Sequence, residues 1–191
     1  HWFGLDWDEG GSAGGDSWYQ SCRFPIYERY FEQLEQRGLL YPCFCSRAEL
    51  HAAQAPHRSD GTYVYARTCR KLTPEQIAEK RKKRGAAIRL MVPDETISFV
   101  DGCQGAYSEN LERDCGDFII RRSDGVYAYQ LAVVVDDGEM GVTQVVRGCD
   151  LIGSTARQIY LYHLLGFAVP EFYHIPLLTA PDGRRLSKRE K

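Results

Sequence analysis

Two uninterrupted apolar runs, Phe118-Ile119-Ile120 and Leu131 to Val135, constrain what this chain can fold into more than any other feature. A strand with one wet face alternates apolar and polar residues. A run without alternation reads as a strand buried on both faces, as in a sheet covered by helices. Val142 to Val146 and Ile175 to Leu178 read as two further strands. A helix from about Thr155 to Leu165 falls between them, with Thr155 and Gln158 as a capping box and Gly166 as its stop. Strands alternating with helix in this way predict an α/β fold.

The preceding residues have a different texture. Gly10 to Gly15 reads as a surface loop. A helix follows in which Pro25 sits in the first turn, Ile26, Tyr30, Phe31 and Leu34 share one face, and Gly38 is the stop. A short helix is expected from about Arg47 to Gln54. Leu72 to Gly85 carries a full set of helix signals: Thr73 as cap, Pro74 at the first position, Gln76 to close a capping box, and Leu72 with Ile77 as a hydrophobic staple. Ala86 to Val92 and Thr96 to Val100 read as strands. The chain thus divides into three regions, 1–38 and 117–191 as two parts of a core, and 39–116 as an insertion that holds several of the cysteines.

A formal net charge of −2 excludes nucleic-acid binding by bulk charge and leaves room for local basic patches. No run approaches the roughly 20 apolar residues of a membrane span. Seven cysteines, an odd number, with a Cys-x-Cys pair and no secretion signal, favour metal binding or simple burial in a reducing compartment over a disulfide framework. The chain opens on His1 and closes in a charged run, so it is expected to be a piece of something longer.

Four constellations carry chemistry. Cys43, Cys45 and Cys69 offer three thiolates, which with one more ligand make a closed tetrahedral site suited to structural zinc. Tyr65, His51 and His57 compete for the fourth position, and the histidines are the more ordinary ligands. Without metal, the cysteines are buried or idle thiols. Arg184-Arg185-Leu186-Ser187-Lys188-Arg189 follows a Gly turn and could clamp phosphates, or be a solvated tail. Tyr129 opens one apolar run and Arg147 closes another, so both are expected at strand ends that line a ligand crevice. An arginine held there takes a carboxylate in bidentate fashion, unless Asp136, Asp137 or Asp150 holds it for structural reasons. Lys80-Arg81-Lys82-Lys83-Arg84 lies at an expected helix C-terminus, where the dipole favours cations.

In order, these pieces resemble the glutamyl-tRNA synthetase group of class I aminoacyl-tRNA synthetases. The resemblance rests on Gly4-Leu5-Asp6-Trp7-Asp8, Tyr19-Gln20-Ser21-Cys22-Arg23 with Tyr27, Leu40 to Cys45, Asp117 to Gly125, Tyr129 to Asp137, Val146 to Leu151, and Thr155-Ala156-Arg157-Gln158. Leu186-Ser187-Lys188-Arg189 is similar to the signature loop of Lys-Met-Ser-Lys-Ser type, with Arg185 where lysine is usual and Leu186 where the motif has methionine. Within the group, Cys-x-Cys followed by Tyr-x-x-x-Cys resembles a shortened branch without an anticodon-binding domain, and this favours Tyr65 as the fourth ligand.

The resemblance implies a partial Rossmann-like core interrupted by a zinc-containing subdomain of acceptor-binding type. It implies activation of glutamate by ATP with Mg2+ to glutamyl-adenylate, and transfer of glutamate to the queuosine base of tRNA(Asp). Tyr129 and Arg147 would bind glutamate, Ser187 and Lys188 would bind ATP, and Lys188 would be catalytic. One structural Zn2+ on Cys43, Cys45, Tyr65 and Cys69, a monomeric state and a cytoplasmic location complete the expectation. The group's His-Ile-Gly-His-like signature would lie upstream of His1, so the 191 residues alone are expected to be inactive. Two rivals are a full glutamyl-tRNA synthetase, discriminating or not, and a non-catalytic zinc-stabilised tRNA-binding module.

Overall fold

The computed structural model describes residues 18–46, 48–49 and 64–180, together with the isolated positions 4, 6, 8–10 and 15. The fold is mixed α/β. After a 3-10 turn at Gln20–Cys22 come α1 (Phe24–Gln36), β1 (Leu40–Cys43), α2 (Pro74–Arg81), β2 (Ala87–Leu90), β3 (Thr96–Asp101) and β4 (Gly105–Asn110). A π-helical turn at Leu111–Cys115 leads to β5 (Phe118–Arg121), α3 (Tyr129–Glu139), β6 (Gln144–Gly148), a 3-10 turn at Cys149–Leu151, α4 (Ile152–Leu165) and β7 (Glu171–Ile175).

Local signals explain much of this. Pro25 sits in the first turn of α1, whose buried Tyr27, Phe31 and Leu34 recur at helical spacing. Gly38 then adopts φ 68°, a left-handed conformation that a residue with Cβ enters only at a cost. Gly166 ends α4 in the same way at φ 75°. In α2 the capping box forms as expected, with Thr73 Oγ1 accepting from the Gln76 amide and Gln76 Oε1 accepting from the Thr73 amide. Leu72 and Ile77 pack against one apolar cluster with Tyr41, Phe44 and Tyr65. This helix closes at Arg81 rather than at Gly85.

Several expectations are corrected. The run Leu131 to Val135 is not a strand but the heart of α3. Its Leu131, Val134 and Val135 fall on one helical face, Ala132 and Asp136 are buried beside them, and α3 packs between α1 and α4. A helix covered on most of its surface shows no alternation either, and burial outweighs the β preference of three valines. Phe118 to Ile120 is a strand, but in an antiparallel sheet of order β1-β2-β5, and its burial alternates along the strand. β2 carries an irregularity between Ile88 and Arg89. α4 starts at Ile152, three residues before the expected cap, so Thr155 and Gln158 are internal and fully buried. The last strand is Glu171–Ile175, upstream of the expected Ile175 to Leu178. β4 was not foreseen; it pairs with β3 as a hairpin from Thr96↔Asn110 to Asp101↔Gly105. The expected helix from Arg47 to Gln54 and the loop Gly10 to Gly15 lie almost wholly outside the described residues.

One core runs through the described chain, from Tyr27, Phe31 and Leu34 of α1 to Phe172 of β7, by way of Leu90, Leu111, Ile120, Leu131 and Leu161. A buried ion pair docks α1 on α3. Arg23 Nε lies 2.6 Å from Asp136 Oδ1, and Tyr27 Oη and Gln20 Nε2 donate to the same carboxylate. These neighbouring polar groups satisfy a charge placed within an otherwise apolar helix face.

Candidate functional site

Arg147 lies one residue from the end of β6. β6 and β7 pair in parallel, with Arg147 in register with His174. That register sets the two side chains against each other, and Arg147 Nε donates to His174 Nε2 at 2.9 Å. Arg147 Nη2 donates to Thr155 Oγ1 at 2.9 Å, and the guanidinium lies over the Phe172 ring. Of the acids that could have held Arg147 for structural reasons, Asp136 is paired with Arg23, while Asp137 accepts from the Tyr162 hydroxyl and interacts with Arg147 only through space. Arg147 therefore keeps a cationic edge, Nη1, with no partner among the described residues.

Tyr129 is not at the end of a strand as expected; it is the first residue of α3, and half of its surface is exposed. The same helix turn meets α4, where Gln130 Nε2 donates to Ser154 Oγ and Gln158 Nε2 donates to Gln130 Oε1. Tyr129 and Arg147 thus both flank the first half of α4, one through its neighbour Gln130 and the other through Thr155. Ser187 and Lys188 lie outside the described residues, as do His51 and His57.

Behind Arg147 stands a buried acid that no sequence motif marks. Asp101 closes β3, and its Oδ1 accepts from the amides of Cys103, Gln104 and His174 at 2.9–3.0 Å. Its Oδ2 lies 2.5 Å from His174 Nδ1. Burial opposes ionisation of this carboxyl, yet the His174 ring and the three amides outweigh it and hold Asp101 down at about 2. The signal was legible only as an Asp-Gly pair ending a strand; its partner His174 is 73 residues away.

The cysteines meet beside a different sheet, the antiparallel β1-β2-β5. Cys43 ends β1, and the sulfurs of Cys43, Cys45 and Cys69 all lie within 4.8 Å of one another. Tyr65 joins them, its Oη 3.4 Å from Cys43 Sγ and 3.7 Å from Cys45 Sγ, while the Cys45 and Cys69 sulfurs are 3.6 Å apart. A zinc–sulfur length of about 2.3 Å requires tetrahedral edges of roughly 3.8 Å, so these four donors have the spacing of a closed four-coordinate site. Backbone amides already point at them: Cys69 N–H donates to Tyr65 Oη and Phe44 N–H to Cys69 Sγ. The Arg89 guanidinium lies 3.6 Å over the Tyr65 ring.

Ionisation differs between members of this cluster. Burial, ahead of the neighbouring thiols, pushes Cys45 up to about 12. Burial and the hydrogen bond with Cys43 push the Tyr65 phenol far above its usual range. Burial also opposes ionisation of Cys43, but hydrogen bonds from Tyr65 and Arg89 win and lower it. A divalent cation at the centre would favour the ionised forms of Cys45 and Tyr65.

An arginine near the end of a parallel strand and a Cys3Tyr cluster beside the antiparallel sheet are the two constellations the described residues bring together. The chain belongs to the family of class I tRNA synthetases (E and Q), catalytic domain, whose model it matches over residues 1–191. It is 50% identical over 194 residues to the glutamyl-Q tRNA(Asp) synthetase of Nitratidesulfovibrio vulgaris, covering 100% of this chain and 60% of that protein. It is also 50% identical to the enzyme of the same name from Symbiobacterium thermophilum, covering 98% of this chain and 59% of that protein. The chain thus spans about 60% of the length of these curated relatives. Among solved structures it is similar to the glutamate-tRNA synthetase of Elizabethkingia anophelis, with a TM-score of 0.79 at 32% identity, covering 98% of this chain and 40% of that one. Among the described residues no helix is long and apolar enough to cross a membrane.

Asp101 supplies a pH dependence. A folded value near 2 against about 3.9 unfolded contributes roughly 2–3 kcal/mol above pH 4, lost progressively as pH falls from about 4 through 2. Urea midpoints measured from pH 5 to pH 2 are expected to fall more steeply for the unaltered protein than for Asp101→Asn. Parallel curves would contradict this.

Proposed function

We propose that the protein to which this chain belongs activates glutamate with ATP and transfers it to the queuosine base of tRNA(Asp). The observation that carries this reading is the Cys43, Cys45, Tyr65 and Cys69 donor set, joined to a class I core in a chain half identical to proteins named glutamyl-Q tRNA(Asp) synthetase. Division into a core, residues 1–38 and 117–191, and an inserted metal-bearing subdomain, 39–116, belongs to the same proposal.

In the first step a carboxylate oxygen of glutamate attacks the α-phosphate of ATP and pyrophosphate leaves; Mg2+, when bound with ATP, would offset phosphate charge. Arg147 takes a carboxylate of glutamate through its unpartnered edge, and Tyr129 adds a hydrogen bond from the start of α3. Ser187 and Lys188 bind ATP, and Lys188 neutralises charge that builds as pyrophosphate departs. The adenylate then passes its glutamyl group to the modified base. Catalysis is positioning and electrostatic stabilisation, without a covalent enzyme intermediate.

The full-length protein, supplied with radiolabelled glutamate and ATP, is expected to label tRNA(Asp) that carries queuosine and not tRNA(Asp) that lacks it. Charging of tRNA(Glu) would contradict the proposal in favour of a glutamyl-tRNA synthetase. Absence of glutamate-dependent pyrophosphate exchange would contradict it in favour of a non-catalytic tRNA-binding module.

Zinc is the metal the cysteine cluster suits, since three soft thiolates and a tetrahedral frame leave no open position for chemistry. Bound there, it would tie β1 to the segment around Cys69 and act structurally. Metal analysis of full-length protein purified without chelator is expected to give one zinc per chain, falling severalfold in Cys69→Ser. Stoichiometric zinc retained in Cys69→Ser would contradict the assignment.

A further inference from the structure

Arg147 is held by an unusually directed contact. Its Nε can only donate, so the His174 Nε2 that it meets at 2.9 Å must accept. Thr155 Oγ1, 3.3 Å from the same nitrogen, accepts from Arg147 Nη2 and so has its own proton free for His174. An accepting Nε2 in a neutral ring puts the proton on Nδ1, which faces Asp101 Oδ2 at 2.5 Å. Asp101 is itself fixed by three amides on Oδ1. His174 and Thr155 are completely buried and Asp101 nearly so, so water does not substitute for any member of the chain. β7 supplies the ring, β3 the carboxylate, and the parallel register of β6 on β7 delivers the arginine.

We infer that Asp101 and His174 are positioning residues for Arg147: the carboxylate selects the imidazole tautomer, and the tautomer selects the arginine orientation that receives glutamate. The inference rests on the proposed role of Arg147 as a glutamate ligand. It assigns work to two residues that do not touch the substrate. Its logic fixes what Asp101→Asn does. The three amides on Oδ1 keep the amide oxygen of asparagine at that place. Its NH2 then faces His174 Nδ1, which must accept, and the ring proton moves to Nε2. There it points at Arg147 Nε–H, donor against donor, and the guanidinium is displaced.

The test is steady-state pyrophosphate exchange with the full-length protein and its Asp101→Asn, Arg147→Ala and doubly substituted forms. Asp101→Asn is expected to raise KM for glutamate about 10- to 100-fold, with KM for ATP changed by less than about threefold. The double variant is expected to be no worse than Arg147→Ala alone, because both act through one group. If Arg147→Ala raises KM for glutamate and Asp101→Asn does not, the positioning role is overturned while the glutamate role stands. If Arg147→Ala leaves KM for glutamate unchanged, the glutamate role itself fails and takes this inference with it. Equal rises in both KM values in Asp101→Asn would mark general damage and overturn the inference. Nitrogen NMR of the imidazole in the unaltered protein tests the tautomer directly, even if Asp101→Asn does not fold. A protonated Nδ1 with an unprotonated, hydrogen-bonded Nε2 is expected near neutral pH, and a protonated Nε2 would overturn the inference.

Discussion

The Asp117 carboxylate is the point on which the antiparallel sheet and the cysteine segment depend. It is fully buried at the entrance to β5, and everything around it is arranged to satisfy one negative charge. Tyr41 of β1 donates to Oδ2 at 2.7 Å, and the Val92 amide, just past β2, donates to Oδ1 at 2.9 Å. Arg67 and Arg70, on either side of Cys69, each bring a guanidinium nitrogen to 3.5 Å from Oδ1. The Asp117 carbonyl accepts from Arg89, the residue stacked on Tyr65. An isolated carboxylate at this depth would cost several kcal/mol. Surrounded in this way, it makes the placement of β1, β2, β5 and the cysteine segment a single problem with one solution. The cysteine cluster is thereby referred to the same sheet that borders the core.

The opposite end of the fold applies the same physics to a different purpose. At Asp117 a buried acid gathers cations and closes the region. At Asp101 a buried acid holds a histidine that accepts from Arg147, and no carboxylate forms a salt bridge with that arginine among the described residues. On the proposed reading, a site that selects an acidic amino acid needs a cation that no carboxylate of the chain has paired. Asp136, one of the acids that could have claimed Arg147, is occupied by Arg23, Tyr27 and Gln20. The Arg23–Asp136 pair therefore matters twice, as the joint between α1 and α3 and as the removal of a competitor.

Features that depend on neighbours in sequence were legible without the structure. The capping box at Thr73 and Gln76, the stops at Gly38 and Gly166, and the buried face of α1 are local events, and each is where its residues say it should be. The gathering of Cys43, Cys45 and Cys69 was readable from residue type and the Cys-x-Cys pair, whereas Tyr65 was singled out over His51 and His57 only by the family resemblance. Elements fixed by tertiary burial were not legible. Leu131 to Val135 has the composition of a strand and is a helix, because α1 and α4 enclose it. Thr155 has the sequence context of a cap and is instead a buried partner of Arg147. Asp101 and His174 carried no motif at all, since what joins them is a meeting of β3 with β7.

The central claim is that Arg147, aimed by His174 and Asp101, is the group that reads the glutamate carboxylate. A crystal structure of the full-length protein with a non-hydrolysable glutamyl-adenylate analogue tests it most directly. The expected result is a glutamate carboxylate paired with the outward edge of Arg147, with the Arg147–His174 contact still near 2.9 Å and Tyr129 within hydrogen-bonding distance of the amino acid. An analogue whose carboxylates are bound elsewhere, with Arg147 still facing solvent, would contradict it.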